Sequence, residues 1–210
     1  MTTVNNDPYI MVRDGVFTKE FCDRCINKFE ADNRKAKGGT AKGVDFSVKK
    51  SDDLFITAYD DWAEEDKSFY KIVQWSIQEY EEHLQSSIPL ILRTTHKKYE
   101  HNPSNNRAKG VVSDTGYQIQ RTLPGDGYIW HSDYKISRSI GASNITFIFY
   151  LNTVDEGWTQ FYNGDQVEPI QGRVCLFPAT WTYVHQGYPP KQTKYLCTGW
   201  IFESLLNLMP

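Results

Sequence analysis

A series of short segments that suit β-strands, separated by turn-forming residues, constrains the fold of this chain more than any other feature. These segments occupy the second half of the sequence, at residues 117–123, 144–151, 159–162, 168–170, 173–177 and 194–202. Glycine and proline interrupt them in the turns PGDG, DEG, NGD and GYPP. Many short strands with such punctuation are typical of a β-sandwich or barrel. The 14% aromatic content agrees, because aromatic side chains favour half-buried sheet surfaces.

The first third of the chain has helical periodicity instead. Apolar residues recur there at spacings of three and four, at Phe21, Cys22, Cys25, Ile26 and Phe29. This pattern predicts one helix that begins after the N-cap Thr18 and ends near Asn33. A longer amphipathic helix is predicted over residues 68–84. We therefore expect helices first and then a double-sheet β core.

The length of 210 residues favours a single domain, residues 1–210. Within it we predict a mainly helical support at 1–92, a mobile loop at 93–114 and the β core at 115–203. The support includes a basic loop at 34–51, with six basic residues and three glycines. Both polar loops are expected to be solvated. The alternative is that residues 34–50 and 93–109 form a lid that becomes ordered over a binding site.

The charge and apolar patterns exclude several classes of function. A net charge of −3 argues against a generally basic nucleic-acid-binding protein, although not against a local basic patch. No apolar stretch is long enough to predict a membrane span, and the N-terminus has no leader-like pattern, so we expect a cytoplasmic protein. Cys22 and Cys25 share the apolar face of a predicted helix, which favours packed thiols over half of a zinc site. The oligomeric state cannot be predicted.

The segment Tyr128-Ile-Trp-His131-Ser-Asp133 places an imidazole and a carboxylate two residues apart. Residues i and i+2 of a strand point to the same face, so both side chains could bind one ion. A second histidine, His185, would complete a facial triad of two histidines and one carboxylate, which leaves positions open and suits non-haem Fe(II). On these residues alone, the histidines could instead form hydrogen bonds in the core.

Lys194 favours the metal interpretation. It lies nine residues after His185 and six before Trp200, on the last long predicted strand. Strand alternation places Lys194 and Trp200 on the same face. A buried lysine is costly unless it is paired, so this position calls for a buried anion, such as a dicarboxylate.

Together these residues resemble the Fe(II)/2-oxoglutarate-dependent dioxygenases of the prolyl 4-hydroxylase-like branch. The resemblance spans roughly residues 115–203 and includes His131-Ser-Asp133, His185, Lys194, Trp200, and the segments 123–128, 145–152, 155–161 and 172–178. It implies an α+β, mainly β fold, with a double-stranded β-helix (a jelly-roll or cupin-like core) and the N-terminal helices packed outside. It also implies Fe(II), 2-oxoglutarate as cosubstrate, O2, and ascorbate as a candidate reductant.

The resemblance further implies roles for individual residues. His131, Asp133 and His185 would bind Fe(II) and so be catalytic, while Lys194 and Tyr150 would bind the distal carboxylate of 2-oxoglutarate. Further residues expected at the cosubstrate are Tyr128, Gln118, Thr159 and Trp200. Many relatives carry a tyrosine just before the Pro-Gly turn, where this chain has Thr122-Leu123; Tyr117, Gln118 or Tyr128 are candidates to replace it. Trp158 and Arg121 are candidates for substrate contact, with simple packing as the favoured role of Trp158.

The expected reaction is hydroxylation of a C–H bond with release of succinate and CO2. By resemblance, the substrate would be a prolyl residue of a peptide or protein. One alternative keeps this chemistry but acts on a free amino acid, another small molecule or a nucleic acid. A second alternative is a non-catalytic jelly-roll binding module, against which the intact triad and Lys194 argue.

Overall fold

The computed structural model describes residues 6–40, 43–87, 99–100, 112–137 and 141–203. The predicted loop at 93–114 falls mostly outside these residues. Two α-helices, α1 (Lys19–Ala31) and α2 (Ala63–Ser87), lie in the first half. The described strands are β1 (Met11–Arg13), β2 (Ala36–Lys37), β3 (Asp52–Phe55), β4 (Tyr99–Glu100), β5 (Val112–Asp114), β6 (Gln118–Thr122), β7 (Tyr128–His131), β8 (Ile136–Ser137), β9 (Gly141–Tyr150), β10 (Thr159–Phe161), β11 (Gln166–Val167), β12 (Val174–Pro178), β13 (His185–Gly187) and β14 (Lys194–Glu203).

These strands form two sheets. The larger has the order β1-β12-β9-β14-β6-β3-β2, with β4, β5 and β8 attached beside this path. The smaller has the order β11-β10-β13-β7. Among the described pairs, β4 and β5 are parallel, whereas the others are antiparallel. The fold is mainly β, with a double-stranded β-helix core, as predicted.

The central strands β9 and β14 separate two apolar clusters. Phe147 and Phe149 point to one face of β9 and pack with residues of both helices, including Phe29 and Phe69. Ile148, on the opposite face, belongs to a second cluster with residues of β10 and β11. The helices therefore cover the outside of the large sheet, and the other face of β9 and β14 looks into the space between the sheets.

The helix predictions are confirmed with small shifts. The Thr18 hydroxyl caps α1 by accepting from the backbone N–H of Phe21 at 3.3 Å. Helix α2 begins at Ala63, earlier than the predicted start at residue 68. The apolar periodicity misses this first turn because it holds Glu64, Glu65 and Asp66, whose charges favour a helix N-terminus.

Two other local predictions are wrong. Residues 168–170 are not a strand; the strand in this region, β11, ends at Val167. Pro169 has no N–H to donate to a ladder, and its carbonyl accepts from Val154 instead. The basic loop at 34–51 is not solvated throughout, because Gly38 and Lys49 are buried. No helix among the described residues is long and apolar enough to cross a membrane.

Candidate metal centre

Three side chains converge between the two sheets. His131 ends β7 and pairs directly with His185, the first residue of β13, while Asp133 lies in the loop just after β7. An Asp133 oxygen is 3.7 Å from Nε2 of His131, and its other oxygen is 3.6 Å from Nε2 of His185. One ligand atom from each residue lies within 4.8 Å of the others, so the group could hold a metal ion.

Backbone carbonyls orient both imidazoles. Nδ1 of His131 donates to the Ile129 carbonyl at 2.7 Å, and Nδ1 of His185 donates to the Tyr183 carbonyl at 3.0 Å. Because a carbonyl can only accept, each proton lies on Nδ1 and each Nε2 keeps its lone pair. This arrangement is typical of metal-binding histidines.

The electrostatics of the triad favour the protonation states that bind metal. Burial, together with the nearby His185, lowers the pKa of His131 to about 4. Burial acts to raise the pKa of Asp133, but His185, His131 and a hydrogen bond from Thr146 outweigh it, so the pKa lies below its ordinary value. A neutral imidazole beside an ionised carboxylate is the form that ligates a metal.

A cavity of about 490 Å³ opens from the triad. Lys194, Leu196, Thr198 and Trp200 line it along one face of β14, as the strand alternation predicts. Thr146 and Ile148 line it from β9. The triad and Lys194 therefore share one cavity.

Lys194 is a buried cation in this cavity. Its side chain is 3% exposed, and Nζ donates to the carbonyl of Gly157 at 2.7 Å. No carboxylate of the described residues lies within ion-pair distance of Nζ, and burial lowers the pKa of Lys194 to about 8. An anionic ligand would relieve this cost.

The pKa of Lys194 predicts a pH dependence of stability. Its folded value is about 8 and its ordinary value is 10.5. Between these values the unfolded chain holds a proton that the folded chain has released, so raising the pH favours the folded state. The free energy of unfolding of the wild type, minus that of Lys194→Met, should therefore rise by roughly 3 kcal/mol across this range. Urea denaturation of both proteins measures this difference, and a constant value would contradict the burial of a charged Lys194.

The other residues predicted at the cosubstrate lie around the same cavity, with one exception. Tyr128, Gln118, Thr159 and Trp200 line it. Tyr150 is fully buried behind Thr159, and the two hydroxyl oxygens are 2.7 Å apart. Tyr150 thus contacts the cavity through Thr159. The Trp200 indole N–H is buried and faces Asp133, whose pKa it lowers, but it forms no hydrogen bond of ordinary geometry.

Neither candidate for substrate contact lies in the cavity lining. Arg121 forms ion pairs with Glu30 of α1 and Asp52 of β3. Trp158 stacks on Tyr188, with ring centroids 4.7 Å apart. The packing role favoured for Trp158 agrees with this stack, and substrate contact by Arg121 or Trp158 stays a prediction.

Sequence reasoning missed one charged cluster in the cavity wall. Lys49 is 5% exposed and forms an ion pair with the equally buried Asp53, Nζ to Oδ2, at 2.7 Å. Gln118 also donates to Asp53, at 2.6 Å. The surrounding charged loop gives no sequence signal of burial, because similar runs are normally solvated.

Residues 117–202 match the sequence profile of the 2OG-Fe(II) oxygenase superfamily. The chain carries a 2OG-Fe(II) oxygenase domain. It is a 2-oxoglutarate-dependent dioxygenase, and the cofactors that this superfamily implies are Fe(II), 2-oxoglutarate and O2. No protein with curated annotation matches the sequence significantly.

Solved structures with a similar fold include three prolyl hydroxylases. A Trichoplax adhaerens prolyl hydroxylase in complex with a hypoxia inducible factor peptide fragment has a TM-score of 0.66 and 16% identity, over 94% of this chain and 85% of that one. A Pseudomonas putida prolyl-4-hydroxylase has a TM-score of 0.61 and 13% identity, over 93% and 92%. A viral collagen prolyl hydroxylase from Paramecium Bursaria Chlorella virus-1, as its 2OG complex, has a TM-score of 0.54 and 17% identity, over 92% and 95%. At these identities the similarity concerns the fold.

The residues of this dioxygenase fit its implied iron. Two imidazole nitrogens and one carboxylate form the facial donor set that suits non-haem Fe(II). The Trp200 N–H and the Lys194 ammonium are buried donors suited to oxygen atoms of a ligand beside that metal. Donor set and cavity therefore agree with the family.

Thr146 provides a test of the site through metal binding. Its hydroxyl donates to Oδ2 of Asp133 at 2.8 Å. Thr146→Val keeps the side-chain volume but removes this bond, so Co(II) or Fe(II) affinity should fall about 10–100-fold, as is usual when a hydrogen-bond partner of a metal ligand is lost. The matched control is Thr198→Val, because the Thr198 hydroxyl donates to the backbone carbonyl of Phe147. Equal affinities of the two variants, measured by calorimetry, would contradict the role of Thr146.

Proposed function

We propose that this protein hydroxylates a prolyl residue of a peptide or protein, using Fe(II), 2-oxoglutarate and O2, with release of succinate and CO2. His131, Asp133 and His185 hold the iron. The observation that carries the proposal is a buried lysine, Lys194, which has no carboxylate partner among the described residues and lies in the same cavity as a facial His-Asp-His group. The intact triad together with Lys194 argues against a non-catalytic binding module.

Lys194 binds the distal carboxylate of 2-oxoglutarate in this proposal. Thr159 adds its hydroxyl at the same end of the cavity, and Tyr150 orients that hydroxyl from behind. Gly157 supports the position of Lys194 through its carbonyl and has φ +68°. A Cβ there would lie 2.7 Å from Pro190, so glycine allows both the turn and the close approach.

Iron with bound 2-oxoglutarate supplies the oxidising chemistry, and the residues of the chain supply position and environment. Two imidazoles with their Nδ1 protons fixed, and one ionised carboxylate, would hold the metal. The apolar side chains of Ile148, Leu196 and Trp200 line the adjoining cavity and would limit water there.

The solved structures with a similar fold support a prolyl substrate. Three of them are prolyl hydroxylases, and one was solved with a peptide fragment. They align with more than nine-tenths of this chain, which supports residues 1–210 as one catalytic unit. Fold likeness alone does not fix a substrate, so this part of the proposal requires a direct test.

The direct test is mass spectrometry of peptide and small-molecule pools incubated with the protein, Fe(II), 2-oxoglutarate and ascorbate as reductant. We expect a product that gains one oxygen atom on a proline-containing peptide, and only when Fe(II) and 2-oxoglutarate are both present. Oxygen addition confined to free amino acids or other small molecules would overturn the peptide substrate while keeping the reaction. No oxygenated product in any pool, with folded protein, would overturn the proposed function.

A further inference from the structure

Lys49 is built into the cavity wall rather than exposed on a loop. It is 5% exposed and lines the cavity that contains the triad. Gly38 packs against it so closely that a Cβ at this position would overlap Oγ of Ser51 and lie 3.0 Å from Cε of Lys49. The chain is therefore shaped around this side chain.

The backbone ties Lys49 to the strand that carries a metal ligand. Lys49 forms a β-bridge with Tyr128 of β7, and the flanking residues Val48 and Lys50 hydrogen-bond to that strand and to the residue before it. Nζ of Lys49 lies 5.5 Å from the centroid of the Tyr128 ring, which stacks on His131 with centroids 3.5 Å apart. One aromatic ring thus separates the Lys49 cation from the metal triad.

The ion pair with Asp53 leaves N–H groups of the Lys49 ammonium available to donate to a ligand. The carboxylate of Asp53 accepts from Gln118 and Ser51 as well as from Lys49, so its charge is shared among three donors. The Lys49 ammonium has three N–H groups, of which one donates to Asp53, and the described residues offer it no second acceptor. Lys49 lines the cavity, whereas Asp53 does not.

The charges around the cavity favour an anion. Its lining includes the lysines Lys49, Lys50, Lys135 and Lys194, and Asp133 is the acidic residue among the described lining residues. In the proposed function Asp133 is bound to iron and Lys194 to the cosubstrate. Among the described residues, Lys49 pairs with Asp53 and Lys50 with Asp126, and neither of these carboxylates lines the cavity.

The Lys49 position is separate from the Lys194 position. Lys194 pairs with Thr122 on β6, and its Nζ donates to the carbonyl of Gly157. Asp53, the partner of Lys49, pairs with Gln120 on β6, and Lys49 itself bridges to Tyr128 of β7. The two lysines therefore reach the cavity from different segments and have different protein partners.

We propose that Lys49 binds a carboxylate of the substrate and so determines specificity for an anionic group close to the hydroxylated C–H bond. This inference rests on the proposed function and narrows its substrate class. In the proposed function this carboxylate is the side chain of an acidic residue next to the reacting prolyl residue. The α-carboxylate of a free amino acid, which would overturn the peptide substrate, is the other outcome of the test. Both present the same chemistry to Lys49.

The test measures binding of four probes to the protein loaded with Mn(II) and 2-oxoglutarate. Two probes carry the carboxylate, L-proline and the blocked dipeptide Asp-Pro, and two are their neutral counterparts, L-prolinamide and the blocked dipeptide Asn-Pro. We expect the carboxylate member of one pair to bind at least tenfold more tightly than its amide. Preference within the L-proline pair identifies a free amino acid as the source, and preference within the dipeptide pair identifies an acidic residue.

Two variants assign this preference to Lys49. Lys49→Met leaves the Asp53 charge unpaired, so Lys49→Met with Asp53→Asn is the second variant, which removes both charges together. In either folded variant, the affinities for the carboxylate probe and its amide should lie within threefold of each other. The control is Lys37→Met, which changes an exposed lysine outside the cavity lining and should keep the wild-type preference. No wild-type preference, or one that survives in the double variant, overturns the inference. Failure of the wild type to bind Mn(II) and 2-oxoglutarate would instead count against the proposed function.

Discussion

Asp133→Ala is expected to abolish Fe(II)-dependent turnover of 2-oxoglutarate while the protein stays folded. The carboxylate lies 3.7 and 3.6 Å from the two imidazole Nε2 atoms and is the anionic member of the triad. Removing a hydrogen-bond partner of a metal ligand already lowers metal affinity or activity about 10–100-fold, so loss of a ligand should lower turnover on the order of a hundredfold or more. Succinate formation under saturating 2-oxoglutarate measures the effect.

A nearby carboxylate provides the control for this variant. Asp126 precedes β7 and lies 3.7 Å from the exposed Lys50, outside the triad. Asp126→Ala should therefore keep wild-type succinate formation. Circular dichroism and thermal melting establish that both variants are folded. Unchanged turnover in Asp133→Ala would contradict the assignment of the metal centre.

Lys194→Met is expected to raise the 2-oxoglutarate concentration that half-saturates turnover by roughly 30-fold or more, since truncating one partner of a buried charge pair costs about 2–5 kcal/mol. The methionine keeps much of the aliphatic stem but cannot pair with a carboxylate. Metal affinity measured without cosubstrate should stay near the wild-type value, because Lys194 is not a ligand. The effect therefore separates the cosubstrate site from the metal site.

The exposed Lys191 is the matched control for Lys194. Lys191 lies three residues before Lys194 in the chain and forms an ion pair with Glu156 at 2.8 Å. Lys191→Met should leave the requirement for 2-oxoglutarate unchanged. If Lys194→Met and Lys191→Met behave alike, Lys194 does not bind the cosubstrate.

Strand periodicity explains how much of the site could be predicted from sequence. Side chains alternate strictly along a strand, so the shared face of Lys194 and Trp200 followed from their spacing alone. The position of Arg121 depends on the strand register, which pairs Thr122 with Lys194 and places Arg121 beside Tyr195, outside the cavity lining. This register could not be predicted from the sequence.

Long-range packing explains what could not be predicted. Lys49 and Asp53 are only four residues apart, but their burial depends on bridges between their loop and β7. Tyr150 shares a strand face with Thr146, as expected, yet the later strand β10 places Thr159 between it and the cavity. In both cases the deciding contact lies with a segment far away in the chain.

The most direct test of the central claim is calorimetric titration of 2-oxoglutarate into the protein under anaerobic conditions, with and without Fe(II). If the triad and Lys194 form one site, each chain binds one 2-oxoglutarate with Fe(II) present, and omission of the metal weakens this binding at least tenfold. Equal affinity with and without Fe(II), or no binding to the folded, iron-loaded protein, would contradict the account.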